Sequence, residues 1–117
     1  MNEQKIIAVI PALNEESTIA QVLNGVKSYV DEVILVDDGS TDQTAVIARS
    51  LGVFVLSNGT NLGYESSIDR GFSKAAERGA TILLTFDGDG QHDPADIPRI
   101  VEPIARGEAD VVTGIRP

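Results

Sequence analysis

The chain has 117 residues and a formal net charge of −9, and 42% of its residues are apolar. That apolar content is typical of one globular domain with a core, and the absence of cysteine excludes a disulfide framework and a thiolate metal site. The acidic balance repels nucleic acid and anionic lipid, so no nucleic acid is expected as a partner, and a phosphorylated ligand would need a divalent cation or backbone amides beside it.

Strand-like and helix-like apolar patterns alternate along the chain. In chain order, the predicted elements are a strand over Lys5–Ile10, a helix over Ser17–Ser28, a strand over Glu32–Val36, a helix over Asp42–Leu51, a strand over Val53–Leu56, a helix over Tyr64–Arg78, a strand over Thr81–Phe86, a helix over Asp96–Ala105 and a strand over Asp110–Thr113. Pro11 is predicted to end the first strand, and Pro103 to kink or split the last helix.

Apolar residues at helical spacing predict the faces that two of these helices bury. The buried faces are predicted to be Ile19, Val22, Leu23 and Val26 in the first helix, and Ile68, Phe72, Ala75 and Ala76 in the third. Short polar side chains precede the helices and predict their N-caps. The candidates are Asn14 or Ser17 for the first helix, Ser40, Thr41 or Asp42 for the second, and Asp93 or Asp96 for the fourth.

The order of elements predicts an α/β fold, because continuous Val/Ile-rich strands joined by helices form a parallel sheet covered on both faces. We expect one Rossmann-like, doubly wound, mostly parallel domain over residues 1–117. The sequence stops just after the fifth predicted strand. We therefore expect the domain to be incomplete at its C-terminus, with an exposed edge through which two copies of the chain associate.

Polar residues follow the predicted strands, at the edge where ligands bind in open α/β sheets. Asp37 and Asp38 end the second strand, where a carboxylate accepts hydrogen bonds from a nucleobase N–H or from ribose hydroxyls. Asn61-Leu62-Gly63 follows the third strand and is either a plain turn or one wall of the same site. The sequence thus predicts a ligand site built from several strand ends.

The fourth strand ends in "DGDGQHDP", residues 87–94. In an extended segment, Asp87, Asp89 and Gln91 point to one side. Their oxygens suit Mg²⁺ or Mn²⁺, and such a cation offsets the repulsion between the two carboxylates. Gly88 and Gly90 leave space for a ligand to approach the backbone. His92 is either a metal ligand or proton shuttle, or a residue at the entry to the next helix.

Four segments in this order resemble family 2 of the GT-A glycosyltransferases. They are "IPALNEE" (10–16), "VDDGSTDQT" (36–44), "NLGYESSIDRGF" (61–72) and "DGDGQHDP" (87–94), and "VVTGIRP" (111–117) resembles the strand that follows. The sequence is most similar to polyprenyl-phosphate mannosyl- and glucosyltransferases of the dolichol-phosphate type. The resemblance covers essentially the whole chain.

The resemblance implies an inverting transfer from a nucleoside-diphosphate sugar, with GDP or UDP as the nucleotide, to a polyprenyl phosphate or a polysaccharide. It implies Mg²⁺ or Mn²⁺ held by Asp89 and Gln91, and catalytic roles for Asp87 and Asp89. The implied substrate-binding residues are Pro11, Ala12, Leu13, Glu15, Asp37, Asp38, Gly63, Asp87, Gly88 and Asp89. The implied general base and acceptor site have no match in these 117 residues, so we expect this chain to be the donor-binding part.

Two positions depart from the family pattern. The family usually has an aromatic residue where Leu13 stands, and a Lys-Gly or Gly-rich stretch where Tyr64-Glu65 stands. No apolar run reaches the roughly 18 residues of a membrane-spanning helix, and the N-terminus has no signal-peptide pattern. We therefore expect a cytoplasmic protein, peripheral to the inner face of the membrane if its acceptor is a lipid phosphate.

Three alternatives belong to other functional classes. A non-catalytic nucleotide-sugar-binding module has the same residues and stays open. A receiver-type signalling domain also carries an acidic pair after a strand, but there the pair ends the first strand, and a lysine stands at a later strand end. A nucleotidyltransferase usually has a basic, Gly-rich first loop, whereas residues 11–16 here are acidic.

Overall fold

The computed structural model describes residues 4–88, 93–99, 101 and 111–112, and within these a β-sheet carries helices on both faces. In chain order the elements are β1 (Ile6–Ala12), α1 (Ile19–Lys27), β2 (Glu32–Asp37), α2 (Thr44–Ser50), β3 (Phe54–Ser57), α3 (Tyr64–Glu77), β4 (Ile82–Thr85), a short 3₁₀ helix (Pro94–Asp96) and β5 (Val111–Val112). The predicted alternation of strands and helices is confirmed within the described residues.

The strands lie in the order β3-β2-β1-β4-β5, and every neighbouring pair is parallel. This is the Rossmann-like order, so the predicted fold class is confirmed. A receiver domain has β1 between β2 and β3, and that alternative is therefore wrong. The order reverses between β1 and β4, which is where a doubly wound sheet binds its ligand.

The core lies in two layers, because successive residues of β1 point to opposite faces of the sheet. Ala8, Ile10 and Ala12 join the layer beneath α1 and α2, whereas Ile7 and Val9 join the layer beneath α3. All five side chains are buried. The face predicted for α1 is buried in the first layer and is confirmed: its residues are Ile19, Val22, Leu23 and Val26.

The face predicted for α3 is partly wrong, because Ala76 is exposed. Gly71 takes its place: it is buried, and the stripe that faces the sheet is Ile68, Gly71, Phe72 and Ala75. A Cβ on Gly71 would come within 2.2 Å of Val9 Cγ1. The missing side chain is what lets α3 lie directly on β1.

Pro11 lies inside β1 and does not end it, so the predicted end of this strand is wrong. Hydrogen bonding to β4 stops where Phe86 donates to the Val9 carbonyl at 3.2 Å, but pairing with β2 continues to Ala12. Pro11 is two residues beyond Val9, so its nitrogen faces the β4 side, past the last bond of that ladder. The proline costs no ladder bond there, and the gap between β1 and β4 begins at this point.

Two of the three predicted helix caps differ from the structure or are shifted by a residue. Thr18 precedes α1 without a side-chain cap, so the predicted caps Asn14 and Ser17 are wrong. At the beginning of α2, Asp42 accepts from the Thr44 N–H at 2.9 Å, one residue away from the usual cap position. At the beginning of the 3₁₀ helix, Asp93 accepts from the Ala95 N–H at 2.9 Å, and this predicted cap is confirmed.

The fourth predicted helix begins with that 3₁₀ turn, continues over 97–99 and includes residue 101; the predicted break at Pro103 lies outside the described residues. In the part of the chain that the structure describes, no helix is long and apolar enough to cross a membrane. Among the described strands, β3 and β5 lie at the two edges of the sheet, and association through an edge stays a prediction.

Candidate functional site

A pocket of about 450 Å³ opens at the carboxyl edge of the sheet, next to the gap between β1 and β4. It is built from the ends of β1, β2 and β4 and from the beginning of α3. Its lining residues are Pro11, Ala12, Leu13, Glu15, Asp38, Asn61, Gly63, Tyr64, Ser67, Asp87 and Gly88. The volume falls in the usual range for small-molecule sites.

Eight of the predicted substrate-binding residues line this one pocket: Pro11, Ala12, Leu13, Glu15, Asp38, Gly63, Asp87 and Gly88. Asp37 does not line it; this buried carboxylate accepts from the Ser40 N–H at 3.0 Å and closes the turn after β2. Asp89 and Gln91, predicted to bind the metal, lie outside the described residues, as does His92. The roles of all these residues stay predictions.

The Asp38 carboxylate is buried and fastens the loop between β3 and α3. Asn58 Nδ2 and the Leu62 N–H each donate to its Oδ1 at 2.7 Å, and the Gly63 N–H donates to its Oδ2 at 3.0 Å. Burial alone would raise the pKa of Asp38, but these hydrogen bonds outweigh it and hold the pKa below its ordinary value. Asp38 is therefore ionised at neutral pH and fixes the backbone directly before α3.

Asp38→Asn should make the chain less stable at neutral pH and flatten its response to acid. The folded-state pKa of Asp38 is depressed, so its stabilisation is present above about pH 4 and is lost as the pH falls through the folded-state value. In the variant an amide NH₂ meets a backbone donor, which costs about 1–3 kcal/mol. Urea unfolding between pH 7 and pH 3 measures both effects. Parallel pH profiles for the two proteins would contradict this role.

A second network joins the loop after β1 to the loop after β2. The Asn14 N–H donates to Ser40 Oγ at 2.9 Å, and Asn14 Oδ1 in return accepts from the Thr41 N–H at 2.8 Å. The Glu15 N–H donates to Thr44 Oγ1 at 2.9 Å. Asn14 has a φ of 54°, a conformation that asparagine tolerates better than most residues. These bonds fix the backbone that carries Leu13 and Glu15 into the pocket.

The contact between these two loops continues with a reciprocal pair of hydrogen bonds. The Glu16 N–H donates to Asp42 Oδ2 at 3.2 Å, and the Gln43 N–H donates to Glu16 Oε1 at 3.2 Å. Hydrogen bonds from Thr44 and Glu16 lower the pKa of Asp42 in spite of the opposing effect of desolvation. The sequence pointed to Asp42 only as a helix cap, because its hydrogen bond from Glu16, 26 positions away, cannot be predicted from the local pattern.

Gly88 has a packing role that the sequence did not predict. A Cβ there would lie 3.2 Å from Ile19 Cδ1 and 3.6 Å from Ile10 Cγ2, so the glycine makes room for core packing beneath α1, while its contact with a ligand stays a prediction. Its carbonyl accepts from Thr18 Oγ1 at 2.8 Å. The strand end that carries Asp87 is thus tied to the beginning of α1.

The loop after β3 holds the residues that sequence reasoning underrated. Asn58 links Asp38 to the buried Ser67, whose Oγ accepts at 3.0 Å, and Arg70 donates to Asn58 Oδ1. Gly39 has a φ of 87°, and a Cβ on it would lie 2.8 Å from the Thr60 carbonyl carbon. Glycine is therefore required where the two loops cross. The asparagines and glycines after β3 were the feature of the sequence from which this role could have been predicted.

The pocket is acidic: Glu15, Asp38 and Asp87 all line it. Within the described ranges, no three carboxylate or histidine side chains lie close enough together to hold a metal ion. Asp87 brings one carboxylate to the pocket, and the predicted partners Asp89 and Gln91 follow it within four positions. The oxygen donors of this segment suit Mg²⁺ or Mn²⁺.

Comparison with known protein families matches residues 7–117 of the chain to the model of glycosyl transferase family 2. Solved structures of glucosyl-3-phosphoglycerate synthase from Mycobacterium tuberculosis have a similar fold. The complex of that enzyme with Mn²⁺ and uridine-diphosphate-glucose superposes with a TM-score of 0.73 at 33% identity, covering 90% of this chain and 40% of that one.

Several curated relatives have names that state a reaction, among them the following two. The UDP-N-acetylglucosamine–dolichyl-phosphate N-acetylglucosaminyltransferase of Methanococcus voltae is 35% identical, over 99% of this chain and 53% of the relative. The undecaprenyl-phosphate mannosyltransferase of Micrococcus luteus is 33% identical, over 96% of this chain and 48% of the relative. The chain thus spans about half the length of these relatives.

Proposed function

Since the chain belongs to glycosyl transferase family 2, we propose that it is the donor-binding part of an inverting glycosyltransferase that uses a nucleoside-diphosphate sugar. One observation carries this proposal: a single pocket at the point where the strand order reverses collects eight of the residues predicted to hold the donor. Those residues come from the ends of three strands and from the beginning of α3, so local sequence alone does not bring them together.

A divalent cation is part of the proposal. The pocket carboxylates Glu15, Asp38 and Asp87 would repel a diphosphate, and a cation between them and the phosphates offsets that repulsion. We assign the cation, Mg²⁺ or Mn²⁺, to Asp89 with Gln91. When bound, it stabilises the negative charge that develops on the nucleoside diphosphate as it leaves. The solved relative that contains Mn²⁺ and uridine-diphosphate-glucose supports the same pairing of metal and donor.

The acceptor is proposed from the relatives. The two curated names specify dolichyl phosphate and undecaprenyl phosphate, so a lipid phosphate at the inner membrane surface is the acceptor class that we favour, over a polysaccharide. We place the acceptor site and the general base outside residues 1–117. The chain by itself then binds the donor and does not transfer the sugar.

Calorimetric titration with UDP-, GDP- and dTDP-sugars tests the donor site. We expect at least one of them to bind in the presence of Mn²⁺ and to bind much more weakly when the metal is chelated with EDTA. Uridine and guanosine, which lack the diphosphate, serve as controls whose weaker binding should not respond to Mn²⁺. Equal donor binding with and without metal, or no binding of any donor, would refute the proposed site.

A further inference from the structure

We propose that Tyr64 binds the nucleobase of the donor by packing its ring against one face of the base. The inference rests on the proposed function and assigns one part of the donor to one part of the pocket. Tyr64 is the first residue of α3, it lines the pocket, and it is 39% exposed.

No other Phe, Tyr or Trp side chain is placed to do this. The sequence contains two tyrosines, three phenylalanines and no tryptophan, and all five lie within the described residues. Phe86 is buried beneath α1, while Phe54 and Phe72 pack between α3 and the sheet. Tyr29 follows α1 and does not line the pocket. Among the described residues that line this pocket, Tyr64 is therefore the aromatic side chain on which a base can stack.

The order of the strands places Tyr64 at the nucleoside end of the pocket. The loop before it is bonded to Asp38 at the end of β2, and β1 separates β2 from β4, which carries Asp87. Neighbouring strands lie about 4.8 Å apart, so the ends of β2 and β4 are roughly 10 Å apart. If the diphosphate and its cation lie at the end of β4, the base lies toward β2 and Tyr64.

The chemistry of that end suits a base and not a phosphate. Leu13, also 39% exposed, reaches the pocket from the loop leading to α1 on one face of the sheet, whereas Tyr64 begins α3 on the other. Two apolar side chains that approach from different sides match the two flat faces of a base. The nearby Asp38 carboxylate disfavours an anion there.

The backbone that carries Tyr64 is held on both sides. Asp38 accepts from the Leu62 and Gly63 N–H groups before it, and the Ser67 N–H after it donates to the Gly63 carbonyl at 3.1 Å. Gly63 has a φ of 97°, so this turn into the helix needs glycine. A ring on a fixed backbone loses little conformational entropy on binding, which favours a stacking contact.

The test measures UDP, GDP and inorganic pyrophosphate binding in Mn²⁺ for the wild type, Tyr64→Ala and Tyr29→Ala. Tyr29 is the matched control, because it is also 39% exposed and lies outside the pocket. We expect Tyr64→Ala to weaken the preferred nucleotide about tenfold, or about 1.4 kcal/mol, and pyrophosphate less than twofold. Tyr29→Ala should bind all three ligands as the wild type does.

Tyrosine fluorescence gives a second readout, because the chain has no tryptophan. In Tyr29→Phe the only remaining tyrosine is Tyr64, and we expect nucleotide, but not pyrophosphate, to quench its emission. Unchanged nucleotide affinity in Tyr64→Ala, or an equal loss for pyrophosphate, would overturn the inference while leaving the donor site intact. A wild-type chain that binds neither nucleotide would overturn the proposed function together with the inference.

Discussion

Replacing Gly71 by leucine should prevent α3 from seating on the sheet and lower the free energy of unfolding by at least about 2 kcal/mol. A Cβ at this position lies 2.2 Å from Val9 Cγ1 and 3.1 Å from Val36 Cγ2, and both valines are fully buried. Overpacking of this kind costs about 3 kcal/mol or more for a whole leucine side chain, and the better helix propensity returns only about 1 kcal/mol.

Thermal and urea unfolding followed by circular dichroism measure the effect, and Tm should fall by about 8 °C or more. Ala76→Leu is the matched control: it adds a leucine to the same helix on its exposed side and should change the stability by less than about 0.5 kcal/mol. If Gly71→Leu were as stable as this control, α3 would not lie against β1 as the structure has it.

The same variant connects packing to function. α3 carries Tyr64 at its first residue and Ser67 in its first turn, and both line the pocket. The helix keeps these residues at the strand ends only while its Gly71 face rests on β1 and β2. A nucleotide should therefore stabilise the Gly71→Leu protein less than it stabilises the wild type.

The strand order and the place of the site follow from physical rules that act over the whole sheet. Apolar runs separated by helical patterns predict a parallel sheet, and parallel strands bring their carboxyl ends to one edge. That is why residues as far apart as Pro11 and Asp87 could be assigned to one site before the fold was known. The resemblance to family 2 is confirmed by the match over residues 7–117.

The wrong predictions arise where a tertiary contact overrides a rule that is based on local sequence. Proline usually ends a strand, but the nitrogen of Pro11 faces the β4 side beyond the last ladder bond, and β1 continues. Periodicity favoured Ala76 over Gly71 because glycine has no hydrophobic signal, whereas close helix-to-sheet packing requires its missing side chain. The small size of Gly88 also serves the packing of Ile19, which the sequence did not indicate.

The hydrogen bonds that shape the pocket were not predictable from the sequence. By its position in the sequence, Asp38 is predicted to end a strand, and Asp42 is predicted to cap a helix. Neither prediction identifies the hydrogen-bond partners that lie far away along the chain. The bonds from Leu62 and Gly63 to Asp38 span 24 and 25 positions, and the bond from Glu16 to Asp42 spans 26. Only the fold brings these loops together, so two residues expected to touch a ligand or begin a helix also hold the pocket's walls.

We expect Asp89→Ala to abolish the dependence of nucleotide-sugar binding on Mn²⁺. Asp89 follows Asp87 by two positions, and Asp87 lines a pocket that already contains the carboxylates of Glu15 and Asp38. Without the cation that Asp89 is proposed to hold, the diphosphate meets these negative charges directly. Affinity in Mn²⁺ should fall at least about 100-fold, or about 2.8 kcal/mol, to the level seen in EDTA.

Asp93→Ala is the matched control, because it removes the same charge four residues further along the chain. Asp93 is exposed and accepts from the Ala95 N–H at 2.9 Å, so its loss should cost about 1 kcal/mol of stability and leave Mn²⁺-dependent binding within twofold of the wild type. Titration of both variants with and without Mn²⁺ separates a metal ligand from a general effect of charge. An equal loss of affinity in the two variants, or a retained effect of Mn²⁺ in Asp89→Ala, would show that Asp89 does not hold the cation.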